Sequence, residues 1–523
     1  MNKSLILRII SLLLVFAFLP LLQSCEADAD EFMIYETATQ IDNIDPQLAD
    51  NDTEFEIVYN TFEGLFKYDK NGELQNGVIS DYEVSPDNLE YTFNISENAV
   101  WYDGTPVTAD DFVFAFTRAV DSETEAPYAY TLYPIKNAQK ILNGKKSKST
   151  LGVKSISEKK LLIKLEYPDT DFIQLLTTPI AMPCNRKFFE ETKGYYGLNA
   201  KSILCNGAYY IDSWNDEYSS LEYNKNYTGD SESKIKSVYI YFNDEETLCE
   251  NIVKKEVDFS ILNNSIIDKV ASADSSVKTE KINDTSNLFL INPDSVIANT
   301  NILNALVSTI SFDITDSTKE TYGAKRISSI TPDIISRNMN SETEKIKSVS
   351  VEKAQNQFLK GCSELEVERS FPTFSIICLE DPLNLYVVKQ IASNWQDLFG
   401  VTVNVESVSS KDMLISRVTS NDYHIALCTT EAISSSASAF FSQFASTSPL
   451  NYFNYKNEKF DKGLKKLSAT QNSDDDIAKL ADYINSSDYI IPLFSSSKLY
   501  YFGDKFNFEI NESNKIIYFS YCD

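Results

Sequence analysis

Histidine is almost missing from this chain: there is one, His424, in 523 residues. That excludes acid–base relays built on imidazole and zinc sites made from histidine pairs. Glycine is scarce too, at 15 residues, and no G-x-G-x-x-G, P-loop or G-x-S-x-G run occurs, so phosphate cradles and nucleophile elbows have no material. Positive charge is outnumbered, with 47 Lys and Arg against 76 Asp and Glu and a formal net charge of −29. A nucleic-acid partner needs a basic surface and is excluded. The acidity reads as a well-solvated surface, or alternatively as a bias towards cationic ligands. After the first two dozen residues no apolar run is long enough to cross a membrane.

Apolar residues make up 43% and charged residues 24%, the balance of a globular chain. The length calls for two or three lobes rather than one small core. The 30 tyrosines and 31 phenylalanines must mostly build cores, and between lobes they also make good ligand walls.

The N-terminus carries an address. Lys3 and Arg8 precede an apolar stretch over residues 9–22, and Leu22-Gln23-Ser24-Cys25 closes it. This is the three-part layout of an export signal, and its end resembles a lipobox. That resemblance implies a signal peptide over residues 1–24, cleavage before Cys25, and a lipid anchor on its thiol. The other seven cysteines have no C-x-x-C spacing, and an odd number cannot all pair. Cys184 and Cys205 are close enough in sequence to bridge; the default is buried free thiols.

Helical and strand periods mix throughout. Apolar residues at helical spacing predict a helix over residues 55–68, and Thr108 to Asp111 reads as a capping box opening a helix with Phe112, Ala115, Phe116, Ala119 and Val120 on one face. Residues 91–95, 161–165, 237–242, 401–405, 423–428 and 490–494 read as strands. Residues 387–399, 460–467 and 477–484 read as helices, and the serine-rich stretch 434–448 as a loop leading into a short helix. His424 sits inside an apolar strand and reads as a core residue.

Acidic pairs such as Asp110-Asp111, Glu190-Glu191, Glu245-Glu246 and Asp474 to Asp476 fall at helix starts, where they complement the dipole. No nucleophile–histidine set or metal cluster can be assembled. The sequence therefore asks for no enzyme, no metal and no cofactor, and leaves binding as the function.

The stretch Trp101 to Arg118, WYDGTPVTADDFVFAFTR, resembles the signature region of the extracellular solute-binding proteins of peptide ABC transporters, family 5 type. The likeness extends through Ile44-Asp45-Pro46, Asn60-Thr-Phe-Glu-Gly-Leu65, Ala126-Pro-Tyr-Ala129, Cys205-Asn-Gly-Ala-Tyr209, Phe399-Gly-Val-Thr-Val403 and Ile491-Pro-Leu493. The segment from Ala126 to Lys154 is similar to the extra domain of the oligopeptide-binding branch.

The resemblance implies an α/β, periplasmic-binding-protein-like fold: two α/β lobes with a hinge plus an inserted third domain. Lobe I would comprise residues 25–61, 177–283 and 495–523, the inserted domain residues 62–176, and lobe II residues 284–494. It implies a monomeric, lipid-anchored receptor on the outer face of the bacterial cytoplasmic membrane, with a peptide ligand and an ABC permease and its ATPase as partners. A non-peptide ligand (sugar, metal chelate or signalling molecule) on the same fold, or a surface lipoprotein without a transport role, is the alternative.

The ligand-binding residues that the resemblance points to are Asp50, Asp52, Tyr128, Asn206, Arg417 and Asn451. The family holds a peptide's ammonium with an aspartate in a Gly-Trp-x-x-Asp-Tyr segment. Here the matching run is Thr429-Thr-Glu-Ala-Ile433, with Ile433 at the aspartate position and Glu431 as the nearest carboxylate.

Overall fold

The computed structural model describes residues 32–229, 233–335, 349–367, 370–448, 450–469 and 474–523. Cys25 and the expected export signal over residues 1–24 lie outside the described residues.

An eleven-stranded mixed sheet runs through the molecule. Its central pair are two 13-residue strands, Thr279–Ile291 and Ile490–Phe502, which lie antiparallel. On one side the sheet continues through Phe259–Leu262, Phe32–Thr37, Ser237–Phe242, Tyr218–Tyr223 and Tyr209–Trp214. On the other it continues through Ile425–Glu431, Phe374–Leu379 and Val403–Val408, with Lys325–Arg326 added against the strand Ile490–Phe502. Each central strand serves both halves. Leu499 to Phe502 pair with Phe259–Leu262, while Leu288 to Leu290 pair with Ile490 to Pro492 and with Ala426 to Cys428. The halves are thus two lobes joined by crossing strands.

The crossing pair is interrupted where it passes between lobes. Register shifts fall between Asn283 and Thr285 and again between Asn287 and Leu288. Asp284 is the extra residue at the first shift. A bulge leaves its residue outside the ladder and re-aims its side chain; here it turns Asp284 away from the sheet and towards the C-terminal segment.

A separate four-stranded antiparallel sheet, Ile79–Val84, Glu90–Ile95, Lys160–Lys164 and Val153–Ser157, packs with the helix Ala109–Ala119. The Asp111 carboxylate accepts from the Thr108 amide at 2.9 Å and from Trp101 Nε1 at 3.2 Å, so the predicted N-terminal acid cap also anchors the fully buried Trp101. At the other end of this helix Arg118 forms an ion pair with Asp45 and donates to Gln47 Oε1 at 2.9 Å, with Phe189 4.2 Å beneath its guanidinium. Asp45 and Gln47 are themselves buried, so the second sheet is tied to lobe I by a desolvated charge pair. The two share one continuous apolar core, whereas lobe II carries its own cores on the two faces of its sheet.

Several predicted elements change length. The helix expected over residues 55–68 is Asp52–Thr61, and the chain then becomes extended at Phe62 and forms the short strand Phe66–Tyr68. The helical spacing continued by chance into a strand whose faces are also apolar. The strand expected over residues 490–494 runs on to Phe502, because the polar run Ser495 to Lys498 lines the crossing rather than a core. Strands at Ser237–Phe242 and Glu90–Ile95, and helices at Glu458–Ala469 and Asp474–Asn485, fall where the periods placed them. The seven described cysteines are all buried free thiols, so Cys184 and Cys205 do not bridge. His424 is not a core strand residue as expected: it stands just before the strand Ile425–Glu431 and is half-buried, with Nδ1 3.2 Å from the Ser375 amide.

Gly207 shows how tightly the lobe I strands meet the helix Asp52–Thr61. Its amide donates to the Thr61 carbonyl at 2.8 Å, and an added Cβ would stand 2.6 Å from Thr61 C and 2.7 Å from Phe62 N. Those are backbone atoms, which cannot swing aside. Replacing Gly207 by alanine should therefore destabilise the protein by about 1–3 kcal/mol, read as a lower midpoint in urea unfolding with an unchanged slope.

Candidate functional site

The crossing strands form the floor of a cleft. A cavity of about 250 Å³ lies above it, walled by Phe55, Tyr59 and Tyr128 on one side and by Ile433 and the 411–431 region of lobe II on the other. It shares Thr131, Thr178 and Ile433 with a larger space of about 580 Å³ between the second sheet's loops and lobe II. A third space of about 460 Å³ shares Asp52, Glu431 and Lys498 on the far side.

The walls follow from local structure. Asn51 caps the helix Asp52–Thr61 by accepting from the Glu54 amide at 3.0 Å, which puts Asp52 in the first turn and Phe55 and Tyr59 on its cleft face. Tyr128 precedes a short 3-10 turn, with its ring 5.6 Å from that of Phe55 and 6.3 Å from that of Tyr130. Ser436 caps the short helix Ala437–Ser442, and its hydroxyl also donates to Asp171 Oδ2 at 2.7 Å, as does the Ser438 hydroxyl at 2.9 Å. Gln139 donates to Thr447 at 2.8 Å. These bonds join lobe II to the opposite wall, so the cleft is closed over at this end.

Charge is organised around Lys515. Its ammonium donates to Asp284 at 2.5 Å and to Glu431 at 2.8 Å. Lys515 and Asp284 are 3% and 1% exposed. Burial works against the Lys515 ammonium, but the Asp284 and Glu431 carboxylates more than reverse this and raise its pKa. Burial would also raise the Glu431 carboxyl; Lys515 beside it, with Lys498 and Lys411 further off, holds it well below the usual carboxylate range. The Glu431 side chain is still 41% exposed to the cleft, so solvent screens its part of the network.

A second pair stands alongside. Lys498, on the crossing strand, donates to Asp52 at 2.7 Å. Burial opposes this charge as well, and Asp52 and Glu56 restore it. Glu56 is fully buried one helical turn from Asp52 and accepts from the Ile517 amide at 3.2 Å. Burial pushes its carboxyl up to about 8 despite Lys498.

The residues singled out from sequence separate into two groups. Asp50, Asp52, Tyr128 and Glu431 line the 250 Å³ cavity together. Asn206, Arg417 and Asn451 stand apart from it. The Asn206 amide both donates to and accepts from the Glu63 backbone, at 2.9 and 3.1 Å. Arg417 pairs with Glu406 at 3.2 Å and Asp422 at 2.6 Å. Asn451 closes a turn on Tyr455, accepting from its amide at 3.0 Å and donating to its carbonyl at 2.6 Å. Sequence reasoning missed Lys411, Lys498, Lys515, Asp284 and Asn514. Lys498 carried a signal, since a lysine immediately before the apolar run Leu499 to Phe502 fits a strand continuing through a wet crossing. Lys515 carried none. The strand Ile425–Glu431 ends at Glu431, so Glu431 and Ile433 do not share one strand face.

Two lobes joined by crossing strands, with an enclosed space at their junction, define a ligand-enclosing binding protein. Among the described residues no group of three or more His, Cys, Asp and Glu could hold a metal ion, and no helix is long and apolar enough to cross a membrane. The model of the bacterial extracellular solute-binding proteins, family 5, matches residues 73–452, and the chain belongs to that family. It is 28% identical over 475 residues to the periplasmic oligopeptide-binding protein OppA of Salmonella typhimurium, covering 88% of this chain and 86% of that one. It is 26% identical to the oligopeptide-binding protein OppA of Bacillus subtilis, over 73% of this chain and 72% of the relative. In fold it is similar to Listeria monocytogenes OppA bound to peptide, with a TM-score of 0.77 at 24% identity over 94% of this chain and 99% of the other. The Escherichia coli murein tripeptide binding protein MppA gives 0.79 at 21% identity, over 94% and 98%.

Two outcomes test the site's electrostatics. Glu56 keeps its proton in the folded chain up to about pH 8, whereas the unfolded chain loses it near the ordinary carboxylate value. Folding stability should therefore fall as pH rises between those values, by at most about 1.4 kcal/mol per pH unit, and level off above them. Glu56→Gln should flatten that fall in unfolding curves measured from pH 5 to 8. Lys515→Met strands Asp284 as an unpaired buried charge and should cost about 3–5 kcal/mol, with much of the loss recovered in the double variant Lys515→Met, Asp284→Asn.

Proposed function

We propose that this chain is a lipid-anchored extracellular receptor that captures oligopeptides and delivers them to an ABC permease driven by its ATPase, without doing chemistry on the ligand. The observation that carries the reading is the enclosed cavity at the lobe junction, opening into two further spaces along one cleft. Aromatic faces such as Phe55, Tyr59 and Tyr128 bind ligands without demanding one side-chain sequence, and wet side spaces tolerate variety. The relatives described above, matched over most of their length, are named as oligopeptide-binding proteins. On this reading lobe I comprises residues 25–61, 177–283 and 495–523, the inserted domain residues 62–176 and lobe II residues 284–494, working as a monomer. Closure about the crossing strands excludes water from the ligand.

The anchor belongs to the same proposal. A diacylglyceryl group on Cys25 would hold the receptor at the outer face of the cytoplasmic membrane, where a tether raises its effective concentration at the permease. Native mass spectrometry of the gently purified protein should show a ladder of retained masses that sequence as peptides; one non-peptide mass would overturn the peptide reading. Cys25→Ala should move the protein from the membrane fraction to the soluble fraction, and unchanged membrane retention would overturn the anchor.

A further inference from the structure

The space of about 580 Å³ beside the lobe junction has two neighbouring carboxylates in its wall, Asp169 and Asp171. They stand between the strand Lys160–Lys164 and the short helix Phe172–Leu175, and they are 6% and 8% exposed. Asp171 Oδ2 accepts the hydroxyls of Ser436 and Ser438 across the lobe seam. Those donors are neutral, so the charge stays in place.

Asp169 is the unmatched group. Its Oδ1 accepts the Asp171 amide at 3.0 Å. Its Oδ2 takes no hydrogen bond from the described residues and is not sealed away from the cavity it lines. Among the described residues no cation stands within ion-pair distance of it. The other charges of the lining are accounted for elsewhere. Lys140 pairs with Glu166 at 2.6 Å, Asp461 accepts the Ser446 amide at 3.0 Å, and Lys465 is exposed, where solvent screens it. Burial and the Asp171 charge raise the Asp169 carboxyl to about 7, and no lysine offsets them. A buried carboxylate without a cation is unfavourable, and holding a proton is its remedy while the cavity is empty.

The surroundings suit a cation. Tyr130, Tyr133 and Tyr167 line the same space, and tyrosine rings attract cations through their faces. Tyr167 stands beside the carboxylate, since burial and the Asp169 charge both push its hydroxyl up. The space joins the 250 Å³ cavity through Thr131, Thr178 and Ile433, so a side chain can branch into it from a ligand lying in the cleft.

We propose that this side space is a subsite for a cationic side chain of the ligand, a lysine or arginine, with Asp169 as its counter-ion. The incoming ammonium or guanidinium takes the place of the proton on Asp169, which leaves to solvent. Tyr130, Tyr133 and Tyr167 wall the cation, and Asp171 adds a second negative charge. This rests on the peptide-receptor reading and names the class of peptide.

The test uses the ligand-stripped protein and tetra-alanine peptides carrying one lysine, glutamine or glutamate at each position in turn, titrated by calorimetry. At one position lysine should bind at least about tenfold more tightly than glutamine, and glutamate more weakly than either. Asp169→Asn should bring the lysine peptide down to the glutamine level. In the unmutated protein the advantage of lysine over glutamine should shrink about tenfold as pH falls from 8 to 6 and Asp169 takes up its proton. Asp171, Tyr91 and Tyr167 are the titratable groups that interact with it, and the tyrosines stay neutral across that range. Glu56 titrates near the same pH but lies on the cleft helix and acts on both peptides, so it cancels in their ratio. Equal binding of lysine and glutamine at every position would overturn the inference while leaving the peptide-receptor function standing. So would a lysine preference that Asp50→Asn or Glu431→Gln abolishes and Asp169→Asn does not. A preference for a free over an acetylated amino end that Asp169→Asn abolishes would give the subsite to the amino end and overturn the side-chain assignment. If no peptide of the set, and no member of a mixed pool of longer ones, binds, the function falls and this inference with it.

Discussion

The ammonium of Lys515 joins three parts of the chain that are far apart in sequence. It reaches Asp284 on a crossing strand, 231 residues away, and Glu431 at the end of a lobe II strand, 84 residues away. Burying such a group carries a desolvation cost of several kcal/mol, which only close, well-directed carboxylates offset. The directions are set by backbone irregularities. Asp284 is aimed by a bulge. Lys515 sits at φ +63°, unusual for a residue with a side chain. It is held there by its amide on the Asn511 carbonyl at 2.6 Å and by the Tyr500 hydroxyl on its own carbonyl at 2.7 Å. Strain of this kind persists where the surroundings over-determine it, and it clusters at functional clefts.

The rest of the cleft depends on that cluster. Glu431 ends its strand opposite Thr285, the residue after the bulge, so the ion network fixes the register at which lobe II leaves the hinge. The amide of Ala432 then donates to the Asp284 carbonyl at 2.9 Å, and that of Ser435 to the Ser513 carbonyl at 3.0 Å. These bonds carry the chain to Ser436 and Ser438, whose hydroxyls meet Asp171 on the far wall. A path of direct contacts thus runs from the hinge to the lobe-to-lobe seam. The cavity is bounded by two ion-paired sets, Asp52 with Lys498 and Glu431 with Lys515, with aromatic faces between them.

How much of this was legible in the sequence follows from what each residue's role depends on. The helix Ala109–Ala119 was legible because its cap and its apolar face are local: Thr108, Asp111, Phe112 and Phe116 lie within a few residues of one another. The strand Ser237–Phe242 was legible because branched and aromatic residues crowd both faces. The crossing strand Ile490–Phe502 was read at less than half its length, because Ser495, Ser496, Ser497 and Lys498 look like loop when their partners are 200 residues away. Asp52 and Tyr128 reached the cavity from motif position alone. Asn206 and Asn451 did not, because in these motifs the asparagine shapes backbone: one holds Glu63, the other Tyr455. Lys515 was invisible for the reason that makes it important. Its partners are brought to it by a bulge and by the path of the chain, and neither has a sequence signature.

The same network bears on closure. A ligand drives a two-lobed protein shut only by its differential affinity for the closed state. In the open state Glu431 and the nearby lysines can each be hydrated; in the closed state that water is reduced, and pairs satisfied within the chain lower the penalty. Lobe-to-lobe bonds such as Ser436 to Asp171 add to the free energy of closure. On the proposed reading a ligand adds to these bonds through contact with the aromatic faces of Phe55, Tyr59 and Tyr128.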